Sequence, residues 1–291
     1  MASAAEPKQM NASTGTDPFL DAMSAGAAVF DLGRPYTHGM AQSPNHPAFR
    51  HALDRRHGDM VRDGGGSAAA DIISLGCHVG THIDALAHVS QDGLLHGGLS
   101  AEDSQRGGKF LESGVHTIPP IVSRGLLLDV ATTIGGDATE ATGHLPGGYE
   151  ITVEDLERTL EHQQLEICRG DTVLIRSGWG SLFDQGPAYV GADSGVPGVS
   201  EAGAEWLAAA EPTAVGADTI AFEMLAPGNG HASLPAHRVL LVEAGIPIIE
   251  TLDLEGPARA GVHEFMFVLA HLNIVGATGA PARPLAIVAA Q

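Results

Sequence analysis

Three histidines and a carboxylate crowd into the segment His78-Val79-Gly80-Thr81-His82-Ile83-Asp84-Ala85-Leu86-Ala87-His88. Their types and spacing suit a divalent metal ion. Gly80 lets the backbone turn tightly, so imidazoles on either side can converge on one point. His82 and Asp84 are two residues apart and share one side of an extended segment. His78, His82 and Asp84 together offer the N/O donor set of a catalytic Zn2+ or Mn2+ site, with a position left open for water. Asp84 has two oxygens, so it can bridge two ions. An ion there lowers the pKa of water towards about 7 and polarises a carbonyl oxygen. His88 can take the proton and hand it to a leaving nitrogen. If the chain is helical from about Asp84, His88 sits one turn along the same face. Asp218 and Thr81 are the candidates for fixing the imidazole tautomers.

Other residues draw plainer readings. His46 and His231 read as loop histidines, and His96, His116, His162, His263 and His271 as structural or surface groups. Cys77 abuts the first ligand and reads as a packed small residue rather than a nucleophile. Phe49, Trp179, Phe222 and Met224 could wall a pocket but are expected in the core. Gly64-Gly65-Gly66 lacks the strand and helix context of a phosphate loop and suits a flap or hairpin.

The elements that must position these groups alternate along the chain. Strands are expected at Ala28–Leu32, Ile72–His78, Gly125–Val130, Thr172–Arg176, Ala214–Asp218, Ile246–Glu250, Phe265–Ala270, Leu272–Val275 and Leu285–Val288. Pro247 marks the strand at 246–250 as an edge. Thr152-x-x-Asp155 is a capping-box variant that opens a helix with Val153, Leu156 and Leu160 on one face. Ser200 caps a helix through Glu211. Pro235 starts another that runs to about Ala244 and stops at Gly245. Residues 33–66 form a long irregular stretch, functional or partly structured. No internal repeat or composition break interrupts 28–291, so the expectation is one mixed α/β domain behind a flexible arm at 1–27.

Composition bounds the partners. Fifteen Lys and Arg against 35 Asp and Glu give a net charge of −20 over 291 residues. The basic residues are scattered, which excludes a nucleic-acid backbone as partner. No run approaches the roughly 18 apolar residues of a membrane span. Two cysteines do not make a disulfide framework, and a cytoplasmic setting is expected. Glycine, at 38 residues, is well above the usual share of about 7 % and favours a loop-rich body. An enzyme of this size commonly forms a symmetric homodimer or homotetramer.

The run His78-Val79-Gly80-Thr81-His82-Ile83-Asp84 resembles the signature of the putative cyclase family of metal-dependent hydrolases, which includes bacterial kynurenine formamidase and isatin hydrolase. The resemblance extends over about residues 28–290. It takes in Asp31-Leu32, Gly39-Met40 and Pro44, then Gly216-Ala217-Asp218-Thr219, Leu234 to Leu241 and Ile248-Ile249-Glu250. It implies a swivelling β/β/α domain with long active-site loops. It implies His78, His82 and Asp84 as metal ligands and His88 as the general acid/base. In formamidase-like members a helix histidine and a strand glutamate complete a two-metal site, and His237 and Glu250 fall at those places. Isatin hydrolase-like members carry Gln at the Glu position and bind one Mn2+, so Glu250 points towards the formamidase-like arrangement. The expected activity is hydrolysis of a small linear or cyclic amide, an N-formyl arylamine such as N-formylkynurenine or a lactam. The alternatives are a lactone or ester hydrolase using the same site, and a non-catalytic metal or small-ligand binder.

Overall fold

The computed structural model describes residues 24–135 and 143–290. Most of the expected arm, residues 1–23, lies outside the described residues. The strands longer than two residues are β1 (Ala27–Asp31), β2 (Arg50–Arg55), β3 (Ala70–Ser74), β4 (His82–Asp84), β5 (Ile121–Asp129), β6 (Thr172–Arg176), β7 (Ala214–Ala217), β8 (Ile248–Glu250), β9 (Glu264–Leu269), β10 (Gly279–Pro281) and β11 (Leu285–Ala289). Nine of them form one mixed sheet in the order β1-β11-β9-β5-β6-β7-β8-β4-β10. Its centre, β5 to β8, is parallel, and both flanks are antiparallel.

The central strands read as near-continuous apolar runs because both faces are covered. Leu126, Leu128, Val173, Ile175 and Ile248 point to one side. Leu127, Leu174, Ile83 and Ile249 point to the other. The first side is covered by the crossover helices α1 (Val153–Gln163), α2 (Glu201–Ala209) and α3 (Pro235–His237, continuing in wider π-type turns through Arg238–Ala244). Leu156, Leu207, Val239, Leu240 and Leu241 supply their buried faces. The capping box of α1 is present: the Asp155 amide donates to Thr152 Oγ1 and the Thr152 amide to Asp155 Oδ2. Ser200 caps α2, which ends at Ala209 rather than Glu211. Gly245, at φ 72°, stops α3.

Three expectations change. β8 is interior, between β7 and β4, not an edge. Pro247 stands just outside it and still gives its carbonyl to the Val215 amide. Residues Leu272–Val275 are not a strand: the Ile274 amide donates to the Leu272 carbonyl, which closes a tight turn, and three apolar side chains are left exposed. β3 ends at Ser74, so Gly76–His78 leaves the ladder. The hairpin expected at Gly64–Gly66 forms: β2 pairs with β3, turned by Gly64 and Gly65 at φ 90° and 87°.

Candidate metal centre

Register places the donors. β4 lies between β8 and β10, with Glu250 directly opposite His82 and Ile248 opposite Asp84. Side chains alternate along a strand, so His82, Asp84 and Glu250 rise from one face while Ile83 and Ile249 enter the core beneath. α3 packs on that same face and lowers His237 onto them. Pro235 at its first turn fixes where the helix begins.

The turn before β4 aims His78 and His82. Gly80 sits at φ 66°, and a Cβ there would stand 2.9 Å from Met40 Cε and from the Tyr36 ring. Tyr36 Oη lies 2.9 Å from both the Val79 and Thr81 carbonyls and so grips the turn. His82 Nδ1 donates to the Gly80 carbonyl at 2.8 Å, which turns Nε2 towards the carboxylates. His78 Nδ1 is 2.6 Å from Asp84 Oδ1, and its Nε2 is 2.8 Å from Thr278 Oγ1. His237 is held twice by Glu223: its amide donates to Oε1 at 3.1 Å, and its Nδ1 meets Oε2. Glu250 Oε1 accepts from the Phe222 amide at 3.0 Å.

The converging atoms stand close but do not satisfy one another. His82 Nε2 is 3.3 Å from Asp84 Oδ1 and 3.5 Å from Glu250 Oε2. His237 Nε2 is 3.4 Å from Asp84 Oδ2 and 3.3 Å from Glu250 Oε1. All four side chains are buried. Asp84 Oδ2 and His82 Nε2 nonetheless have no hydrogen-bond partner. Buried polar atoms are rarely left so, and each costs about 1–3 kcal/mol or more when it is. An N/O set with two such orphans fits a divalent ion. Among the described residues, two groups of three come within reach of an ion: His78, His82 and Asp84, and Asp84, His88 and His237. Asp84 belongs to both.

Electrostatics of the metal-free cluster follow from crowding. Burial disfavours charge on His82, but Asp84 and Glu250 outweigh it and carry its pKa up to about 9. Burial opposes charge on His237 too. Glu223 first, which also bonds the ring, and the nearby carboxylates of Asp84 and Glu250 raise it well above the ordinary imidazole value. Burial pushes Asp84 up, yet the surrounding imidazoles of His88, His78 and His82 hold it well below the usual carboxylate range. For His88 the balance is reversed: burial, aided by the imidazoles of His78, His237 and His82, outweighs Asp84 and drives its pKa down to about 3.

The structure brings His78, His82, Asp84, His88, His237 and Glu250 together. His88 is not on a helix. The strand ends at Asp84, and a turn closed by the His88 amide on the Ala85 carbonyl stacks the His88 ring on His78 with centroids 3.8 Å apart. The tautomer partners are Glu223, Thr278 and the Gly80 carbonyl, not Asp218 or Thr81. Asp218 accepts from the Ser177 amide and hydroxyl and from the Gly180 amide, tying a loop to the end of β7. Thr81 Oγ1 donates to the Thr251 carbonyl. Glu223 had a signal: a lone carboxylate in the apolar run Ile220 to Leu225 must be exposed or paired. Thr278 had none. His46 comes to the rim, its ring 5.3 Å from His78. Beside it a cavity of about 480 Å3 is lined by Pro44, Asn45, Leu225 and Asn229 to Ala232, including His231. Trp179 and Phe222 are buried core, whereas Phe49 packs on Tyr36 and His38.

The model of the family described as "Putative cyclase" matches residues 30–224. The chain belongs to the putative cyclase family. The match includes His78, His82, Asp84, His88 and Glu223 and stops short of His237 and Glu250. A crystal structure described as a novel cyclase is 28 % identical, with TM-score 0.77 over 92 % of this chain and 91 % of that one. Isatin hydrolase A from Ralstonia solanacearum is 21 % identical, with TM-score 0.69 over 95 % and 100 %. A structure described as a potential metal-dependent hydrolase with cyclase activity is 22 % identical, with TM-score 0.57 over 90 % and 100 %. No curated protein sequence matches the chain. Among the described residues of this cyclase-family chain, no helix is long and apolar enough to cross a membrane.

Proposed function

We propose that this chain is a metal-dependent hydrolase that cleaves the carbon–nitrogen bond of a small linear or cyclic amide, an N-formyl arylamine or a lactam. The observation that carries the reading is the pair of orphaned buried atoms, Asp84 Oδ2 and His82 Nε2, inside a ring of N/O donors. His78, His82, Asp84, His237 and Glu250 would hold the metal, Zn2+ or Mn2+, with Asp84 shared if there are two ions. A divalent ion held there supplies Lewis acidity, which polarises a carbonyl oxygen and lowers the pKa of water.

The chain's own residues supply the rest. Thr278, the Gly80 carbonyl and Glu223 fix the rings of His78, His82 and His237, so the donors need no reorganisation. His88 is neutral at pH 7 and so free to accept a proton from the attacking water. Stacked on His78 beside the cluster, the ring is placed to hand that proton on to the leaving nitrogen. The cavity beside His46 is of the size that takes a small molecule. Free Cys77 and Cys168 suit a reducing cytoplasm.

A panel of N-formyl arylamines, lactams, lactones and esters, assayed with Zn2+ or Mn2+, tests the reaction. Amide turnover is expected, and turnover of lactones or esters alone would replace the substrate class. His88→Ala should keep the metal and lose turnover by roughly 10²–10⁴-fold. A second reading rests on the group Asp84, His88 and His237, in which His88 is itself a ligand. In that case the variant loses an ion along with its activity.

A further inference from the structure

The facing donors His82 and Glu250 stand where their ladder ends. His82 is the first residue of β4 and Glu250 the last of β8, and β4 is only three residues long. Strand ends open most readily, because few backbone bonds hold them. Donors that must keep their spacing there need a tie beyond the last pair. Thr81, the residue before β4, is fully buried and makes that tie. Its carbonyl accepts from the Ala282 amide at 3.0 Å, just past β10, and from Tyr36 Oη at 2.9 Å. Its hydroxyl accepts from the Arg34 amide at 2.8 Å and donates to the Thr251 carbonyl at 2.7 Å, just past β8.

Thr251 is bent to meet it. Its φ is 58°, a left-handed value that a β-branched residue adopts only where its surroundings impose it. Its amide is taken by the Thr219 carbonyl, just past β7, so the bent residue is held from both sides. Strain of this kind collects where a structure fixes the backbone for function. Here it falls on the residue after Glu250, opposite the residue before His82. We propose, on the reading of this cluster as a metal centre, that Thr81 is a positioning residue: its hydroxyl clasps β4 to β8 so that His82 and Glu250 keep the separation that metal binding requires. Both hydroxyl contacts are to backbone, so Thr81 acts through the two donors and not as a ligand.

Three full-length variants test this. Thr81→Val removes the hydroxyl and keeps the branched shape, and Thr81→Ser keeps the hydroxyl. Thr172→Val is the control: it deletes an equally buried hydroxyl of the same sheet, on β6, where Thr172 Oγ1 meets Ser123 Oγ. Zn2+ affinity is read by chelator competition at a temperature where circular dichroism shows every protein folded. Thr81→Val is expected to lose about 10–100-fold, with Thr81→Ser and Thr172→Val close to wild type. Wild-type affinity in Thr81→Val would overturn the proposal. So would an equal loss in Thr81→Ser or Thr172→Val, which would assign the effect to packing or to general stability. If Thr81→Val does not fold, Thr251→Gly replaces it, because glycine takes φ 58° without strain and frees the clasped carbonyl. The same direction of loss is expected, and unchanged affinity overturns the proposal. A wild type that takes up no Zn2+ ends the metal reading, and the clasp is then read on the metal-free proteins from the Phe222 amide, which donates to Glu250 Oε1. Its hydrogen exchange should be faster in Thr81→Val than in wild type and Thr172→Val, and equal rates refute the clasp.

Discussion

Glu223 shows how one side chain outside the ligand set can govern it. It takes both the backbone amide and the ring Nδ1 of His237, so Nε2 has one direction available. Glu223→Gln keeps the shape and removes the charge. Partners of this kind typically contribute 10–100-fold to metal affinity, and a loss of that size is expected in a chelator competition. Unchanged affinity would show that α3 alone orients the ring. Protons compete with the ion at the same atoms. His82 has a folded-state pKa of about 9 against an ordinary 6.5, so its pairing stabilises the metal-free protein fully below 6.5 and is lost as pH rises through 9. Metal binding must expel that proton, so apparent affinity should climb with pH up to about 9 and level off above it. Titration calorimetry in buffers of different ionisation enthalpy would read the released protons, and no release at pH 7 would contradict the account. At this scale the sequence was informative about His82 and Asp84, whose spacing matches the strand period. It was silent on Thr278, which meets His78 from 200 residues away.

At the scale of elements, the site is a matter of register. Glu250 faces His82 because β8 pairs with β4 antiparallel with that pairing. A one-residue slip would send Glu250 into the core and raise Ile249 in its place. The turn that feeds β4 is equally constrained. Gly80→Ala brings a Cβ into the left-handed region and against Met40 and Tyr36. A cost of about 1–3 kcal/mol is expected, seen as a lower denaturation midpoint with reduced metal retention. A neutral result would mean that the Tyr36 grip is loose. Helix starts at Thr152, Ser200 and Pro235 were legible because capping chemistry is local. The turn at His88 was not. Ala85-Leu86-Ala87 is good helix-forming material, but the Ala85 amide is taken by the Thr278 carbonyl and the Ala87 amide by the Ser113 carbonyl. Those partners are distant in sequence, and they override the local preference.

For the whole molecule, one sheet separates two apolar cores and carries the cluster on its helix side. The alternation of Leu126, Leu127 and Leu128 between the cores announced a strand buried on both faces. The order of the strands could not be read the same way, since β4 joins the sheet far from its chain neighbours. The central claim is that this architecture exists to hold a divalent ion at Asp84. Elemental mass spectrometry tests it most directly, on untagged protein purified without chelator, beside Asp84→Asn. The account predicts one or two Zn2+ or Mn2+ per wild-type chain and loss of bound metal in the variant, because Asp84 belongs to both donor groups. Wild-type protein that holds no ion after reconstitution, or an Asp84→Asn variant that holds as much as wild type, would contradict it.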